Sequence, residues 1–402
     1  MKIKSLAMQA LIVSLLPMSV CAQKKTTVDI YGFIAAQSFM DSRKNMAGAE
    51  GFLSLYPAPE NKNLSGTDEN NYSSESWYGT MARFGVNIKG PEIFGAASRA
   101  RAEIEFSGHS QTENHVLYRH AFVALDWDDE TLLLGQTWHP MNDLFPSTVS
   151  IALGSPFNAL NRSPQFRGEK YFGKDKQNKF IIATIFQALN TSVGPNGKVY
   201  NYNRFSGVPM IYAGADFAFG DLKLGAGAEY QRIVPFIDSN DNNKKYYLNA
   251  FSGMIQAQYN QDKLSIKAKA LVGQNMSHLG ICSGYGRAAG TDIEFVPLTA
   301  ATSWAQVQYG DALKWGIFSG YMKNLGASKD LNLAALYVNG GGNIDQMWRI
   351  APSVSYTVGN MNLACEYELT TVAYGDVEAK GTVTNTNDVS NHRVLFSVMY
   401  SF

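Results

Sequence analysis

Cysteine is scarce in this 402-residue chain, with Cys21, Cys282 and Cys365 its three copies. Cys21 lies in the N-terminal apolar stretch, so two remain for a folded body. That excludes a disulfide framework and any paired-cysteine metal knuckle, and leaves open at most one Cys282–Cys365 bridge. Neither sign of charge is in excess, with 34 Lys and Arg against 34 Asp and Glu. A neutral chain has no electrostatic footprint for nucleic acid or an anionic surface, and neither partner is expected. Long apolar runs are missing too: beyond residue 22 there is no stretch of the roughly 20 residues that a membrane helix needs. If the chain crosses a membrane, it must do so as a closed barrel.

Chemistry-bearing clusters are equally thin. The six histidines are scattered, and His120, His139, His278 and His392 show no ligand spacing. His109 and His115 lie near Ser107 and Glu113 in a polar segment, but a triad needs its members on fixed elements. The glycine-rich run at 339–343 and the segment 284–287 do not lead from a strand into a helix, so a phosphate cradle is not supported. No catalytic residue, metal or cofactor is expected.

What is present begins with an address. Lys2 and Lys4 precede an apolar stretch at 6–20, and Val20-Cys21-Ala22 offers small residues for cleavage. Residues 1–22 therefore read as a signal peptide cut near Ala22, too short and too interrupted by Gln9 and Pro17 to span a bilayer. Its removal takes away two lysines and no acid, so the balance stays within two charges of neutral.

The rest of the chain alternates with a period of two. Ala100, Ala102, Ile104 and Phe106 interleave with Arg99, Arg101, Glu103 and Glu105, and Leu264, Ile266, Ala268, Ala270 and Val272 with Lys263, Ser265, Lys267 and Lys269. Alternation alone does not separate a soluble sandwich from a membrane barrel, but connection lengths do. Tight links such as 128–130, 220–221, 260–262, 310–311 and 359–360 take turns with long polar ones at 40–80, 108–116, 139–164, 190–208, 234–244, 275–298, 324–345 and 374–390. Short turns at one end and long loops at the other are the signature of an up-and-down barrel in a bacterial outer membrane.

About sixteen antiparallel strands are expected, at 28–39, 81–89, 98–107, 117–127, 131–138, 165–172, 179–189, 209–219, 222–233, 246–259, 263–274, 300–309, 313–323, 347–358, 361–373 and 391–402. Trp127, Phe219, Tyr259 and Tyr309 precede tight turns, and Tyr230, Tyr321 and Tyr367 lie toward the opposite ends, as two aromatic girdles would. The last strand alternates Val394, Phe396, Val398, Tyr400 and Phe402 with polar or smaller partners; Tyr400 and Phe402 are the candidate signal for the barrel-assembly machinery.

If the apolar faces meet outer-membrane lipid, the polar faces line a lumen, which at this strand number is aqueous unless something fills it. The inward set comprises Arg83, Asn87, Lys89, Arg99, Arg101, Glu103, Glu105, Lys223, Glu229, Lys267, Lys269, Arg349, Glu366 and Glu368. With the first strand close behind the cleavage site, no plug domain is expected, and an inward-folded loop must supply any constriction. The third long loop, 139–164, is the candidate: Asp143 and Arg162 on it would face Arg83, Arg99 and Arg101 across the opening. Charges of both signs leave the direction of ion selectivity open.

The stretch Ala82-Arg83-Phe84-Gly85-Val86-Asn87-Ile88-Lys89-Gly90, the run Arg119-His120-Ala121-Phe122-Val123-Ala124-Leu125 and Leu134-Gly135-Gln136-Thr137 resemble strands of general bacterial porins and of DcaP-type channels. Phe402 and the strand count extend the resemblance over the mature chain, and Trp138-His139-Pro140 looks like porins of the Bacteroidetes group. The resemblance implies a homotrimer of sixteen-stranded pores, each narrowed by its third loop against a basic wall and passing small hydrophilic solutes and ions. The chain departs from the DcaP pattern in lacking a helical segment before the first strand, which puts trimerisation and any anion or dicarboxylate preference in doubt. Two other classes stay in view. The long first loop, with Tyr56, Tyr72, Trp77 and Tyr78, would suit a non-conducting adhesin, and an outer-membrane barrel enzyme is the third reading.

Overall fold

The computed structural model describes residues 26–48, 51–76, 80–106, 116–186 and 191–402. The expected signal peptide, His109 and His115 lie outside the described residues.

Sixteen strands build the barrel: β1 (Thr27–Asp41), β2 (Thr80–Ile93), β3 (Ala96–Phe106), β4 (Val116–Asp126), β5 (Glu130–Trp138), β6 (Arg162–Phe172), β7 (Asn178–Ile185), β8 (Met210–Phe219), β9 (Leu222–Asp238), β10 (Lys244–Gln261), β11 (Leu264–Gln274), β12 (Phe295–Gly310), β13 (Leu313–Ala327), β14 (Ile344–Val358), β15 (Met361–Val377) and β16 (Val383–Ser401). Each pairs antiparallel with the next. β16 returns to β1 in register from Phe33↔Ser401 to Asp41↔Arg393, so the sheet closes and leaves no edge.

Five of the tight turns are two residues long, as the hairpin geometry of twisted strands favours. In two of these, Gly220 and Gly359 take the first turn position with φ of 61° and 55°, a region that side chains with a Cβ seldom enter. Two expected outer loops are mostly strand. β9 runs to Asp238 before β10 begins at Lys244, and β15 runs to Val377 before β16 begins at Val383. Beyond the apolar belt both faces meet polar surroundings, so alternation fades while pairing continues; stacking of Phe236 on Tyr246, centroids 5.9 Å apart, holds the first extension together. The seventh outer link likewise contains a strand, Leu331–Val338, which pairs with Gly284–Ala288 from the sixth.

The two faces of the wall are inverted relative to a water-soluble protein. Outward side chains such as Ile30, Phe251 and Trp315 are 60–65 % exposed, whereas Arg349, Glu366 and Arg393 on the inner face are 1–2 % exposed. A continuous apolar belt outside and buried charge inside is the arrangement that a hydrocarbon surround stabilises.

The lumen is not uniformly polar. The third outer loop enters it, and Met141, Phe157 and Met276 pack with Trp304, Phe318 and Met322 of the wall in one apolar cluster. The first outer loop joins them through its hairpin Asn45–Gly48 and Leu53–Pro57, where Tyr374 Oη donates to Pro57 O at 2.7 Å. Open space remains between the third loop and the wall of β1–β4, bordered by Asn362 and Ala364 of β15 and Ser397 and Met399 of β16.

Candidate pore constriction

Along the third loop, backbone groups that would otherwise be buried without partners are met by inward side chains of the wall. Lys269 Nζ donates to Met141 O at 2.8 Å and Leu144 O at 2.9 Å, and Lys267 Nζ to Phe145 O and Ser147 Oγ at 3.2 and 3.0 Å. Glu366 accepts from the successive N–H groups of Val149 and Ser150 at 2.8 and 2.9 Å. Thr302 Oγ1 donates to Phe157 O, Trp304 Nε1 to Asn158 Oδ1, and Arg349 to Ser155 O. Lys267 and Lys269, expected as pore charges, thus hold the loop in place.

Both ends of the apolar cluster are tied by a second set of buried polar groups. His139, where the loop leaves β5, places Nε2 2.6 Å from Glu229 Oε2 on β9; His278, from the sixth outer link, places Nε2 2.8 Å from Glu229 Oε1. The three could present ligand atoms within 4.8 Å of one another. A metal on Nε2 would require the ring proton on Nδ1. Yet Met141 N–H points at His139 Nδ1 from 3.2 Å, and Gln231 Nε2 lies 3.2 Å from His278 Nδ1. Both Nε2 atoms thus converge on one buried carboxylate, and the three side chains clamp loop, wall and loop together. Spacing in the sequence could not show it, because 139 residues separate the two histidines.

The space left open is a cavity of about 350 Å³ between Ser147–Thr148–Val149–Ser150–Ile151 of the loop and the wall of β1–β4, with Arg83, Glu105, Arg119 and Arg162 on the wall side. Glu103 and Glu105 lie at the centre of the charged group. Arg119 Nε donates to Glu103 Oε1 at 2.6 Å and its Nη1 lies 2.8 Å from Glu105 Oε2. Arg101 reaches Glu103 at 3.0 Å, and Arg83 Nε donates to Glu105 at 2.8 Å. Tyr31 Oη donates to Glu103 Oε2 at 2.7 Å. Aromatic faces carry the guanidinium planes: Arg83 lies over Phe33, Arg101 over Tyr31, and Arg119 and Arg162 over Trp138 at 5.5 and 4.8 Å.

Of the expected site residues, the structure brings Arg83, Arg101, Glu103, Glu105 and Arg162 together. Arg99 lies lower on the same wall, bonded to Asp126 at 2.6 Å. Asp143 sits on the opposite side of the lumen, within electrostatic range of Lys269, Asp216 and Tyr212. Arg119 and Trp138 were missed as members of the group. A β-bulge between Glu103 and Ile104 pairs Glu103 with His120 and Ile104 with Tyr118, so strict alternation is broken where Arg119 turns inward. Cys282 and Cys365 are both free thiols.

No family model matches the chain, and no curated protein matches it. Solved structures do. The outer membrane channel DcaP of Acinetobacter baumannii matches with a TM-score of 0.68 at 16% identity, over 94% of this chain and 97% of that one. OmpT of Vibrio cholerae in its trimer form matches with a TM-score of 0.55 at 11% identity, over 94% and 100%. An anion-selective porin from Comamonas acidovorans matches with a TM-score of 0.51 at 12% identity, over 94% and 100%. The fold is the closed sixteen-strand antiparallel barrel of the porins.

Proposed function

We propose that this porin-fold barrel is a passive outer-membrane channel for small hydrophilic solutes that favours small anions, exported by removal of residues 1–22 and assembled as a homotrimer. The observation that carries the reading is the imbalance beside the cavity. Four guanidiniums, Arg83, Arg101, Arg119 and Arg162, surround two carboxylates, and among the described residues Arg162 has no acid within ion-pair distance and an unpaired Nη1.

The facing loop offers Ser147, Thr148 and Ser150, polar but neutral. A hydrated anion passing between them exchanges water for guanidinium donors, while a cation meets a net positive wall in a space too narrow for full screening. Glu103 and Glu105 hold the arginines together against their mutual repulsion, so the field is fixed before a solute arrives. Likeness to an anion-selective porin and to a trimer form supports the same reading.

Conductance of the purified barrel in a planar bilayer under a salt gradient is the test. Ohmic steps with an anion-selective reversal potential are expected, and Arg162→Gln, which breaks no ion pair, should move that potential several millivolts toward cation selectivity. An unchanged potential would remove the proposed role of the arginine group; a folded barrel that never conducts would overturn the channel reading in favour of surface binding.

A further inference from the structure

Charged side chains that face outward from a membrane barrel are informative, because lipid rather than water surrounds them. On the outer face of β9 and β10, the aromatic pair Tyr230 and Phe251, centroids 5.2 Å apart, marks the end of the apolar belt nearer the long loops. Phe251 stands eight residues from Tyr259 at the tight-turn end, about 26 Å along the strand. After tilt, that is close to the height of a barrel's apolar band.

Just beyond it, Arg232 lies with its guanidinium 3.9 Å from the ring centroid of Tyr247, and Lys245 stands two residues further along the same face. Among the described residues neither has a carboxylate partner, and Arg232 Nε is buried without a hydrogen-bond partner. Of the hairpin's two acids, Asp241 is taken by Lys244 at 3.1 Å and Asp238 accepts from Asn240 N–H at 2.9 Å. Among the described residues Lys245 Nζ donates to Phe205 O, at 2.7 Å.

Directly below, the belt is concave. Small residues, Ala213, Ala226, Ala228 and Gly253, occupy outward positions where Phe180 and Ile255 form the rims, and the groove they leave measures about 880 Å³. Apolar groove, aromatic collar and unpaired cations follow one another along the same two strands.

We infer that this face binds one phosphate-bearing lipid of the outer leaflet, with acyl chains in the groove and phosphate on Arg232 and Lys245. The inference rests on the outer-membrane reading above. Charge complementarity selects the occupant: a zwitterionic headgroup would bring its own cation to the arginine, and a second protein copy would bury two cations against an apolar wall. Tyr247 pre-orients the guanidinium plane, and the Arg fork suits phosphate oxygens.

Native mass spectrometry of the detergent-purified barrel, titrated with a bisphosphorylated, multiply acylated glucosamine lipid, with phosphatidylcholine and with inorganic phosphate, tests it. Retention of the phosphorylated lipid at least tenfold above phosphatidylcholine is expected, falling to the phosphatidylcholine level in R232A/K245A. Ala228→Leu with Gly253→Leu should also reduce retention by filling the groove; a Cβ at Gly253 meets nothing closer than 3.7 Å, so the wall accommodates it. In the unaltered barrel, raising salt should release the lipid. Equal retention of both lipids, or retention unmoved by salt and by R232A/K245A, overturns the inference, and equal competition by inorganic phosphate overturns the role of the groove. Conductance of the same preparations reads the channel proposal separately, because lipid retention in detergent does not depend on an open pore.

Discussion

Gly320 sets how closely the third outer loop approaches the wall. A Cβ there would stand 2.4 Å from Cγ of Phe157, a ring that is fully buried against Phe318 and Trp304. Gly320→Leu should therefore push Phe157 and its loop toward the cavity, cost about 1–3 kcal/mol of overpacking, and show as lower single-channel conductance in a barrel that still migrates as folded; conductance equal to the unaltered channel would mean that the loop does not border the path. Cys282 illustrates the opposite extreme, a reactive group kept inert. Burial pushes its thiol up to about 12, so at pH 8 almost none is thiolate. A soluble maleimide is expected to leave it unmodified until the barrel is unfolded, with labelling read by mass; modification of the folded form would show that the loop above Cys282 opens.

At the scale of elements, the third loop is a fixed insert because its carbonyl and N–H groups are matched one by one from the wall and its root is clamped by His139, Glu229 and His278. The clamp has a pH consequence. Burial holds His139 below its ordinary value near 6.5, against the opposing pull of Glu229. The unfolded chain then takes up a proton in a range where the folded one does not, so stability is complete above about pH 6.5 and declines as pH falls toward the folded value. The unfolding midpoint at fixed heating rate should drop between pH 7 and 5, and His139→Gln, which can still donate to Glu229, should flatten that slope; an equal slope in the variant would place the titration elsewhere. The wall itself was legible in the sequence, since 3.3 Å per residue and side chains on alternate faces leave a period-two mark in every strand, as in 99–106 and 264–272. The insert was legible only as a loop. Which side of the lumen Asp143 takes, that Lys269 bonds carbonyls instead of facing the pore, and that His139 meets His278 all depend on contacts between segments more than 100 residues apart, for which no local pattern exists.

For the whole molecule the decisive contact is the seam where the first and last strands meet, because every other neighbouring pair among the sixteen joins strands consecutive along the barrel, whereas this one joins the two ends of the sheet. Its inner face is polar: Arg393 Nη1 donates to Asp41 Oδ2 at 3.0 Å, Asn391 Nδ2 to Asp41 Oδ1 at 2.9 Å, and Gln37 Nε2 to Ser397 Oγ at 3.2 Å. Arg393 also donates to Gly51 O and lies 3.9 Å over the Phe39 ring, so one guanidinium ties β16 to β1 and to the first outer loop. Removing it leaves Asp41 buried with its charge uncompensated, a loss of about 3–5 kcal/mol for pairs of this kind. An open seam also exposes two strand edges in a medium that cannot hydrogen-bond them. Arg393→Ala should thus lower the temperature at which the folded band disappears on unboiled gels by several degrees, whereas Arg393→Ala with Asp41→Asn, which removes the orphaned charge, should recover part of the loss. If the single and double variants melt together at the original temperature, backbone pairing alone closes the barrel and the ion pair is incidental; if both fall equally, the contacts of Arg393 with Gly51 and Phe39 matter more than its charge.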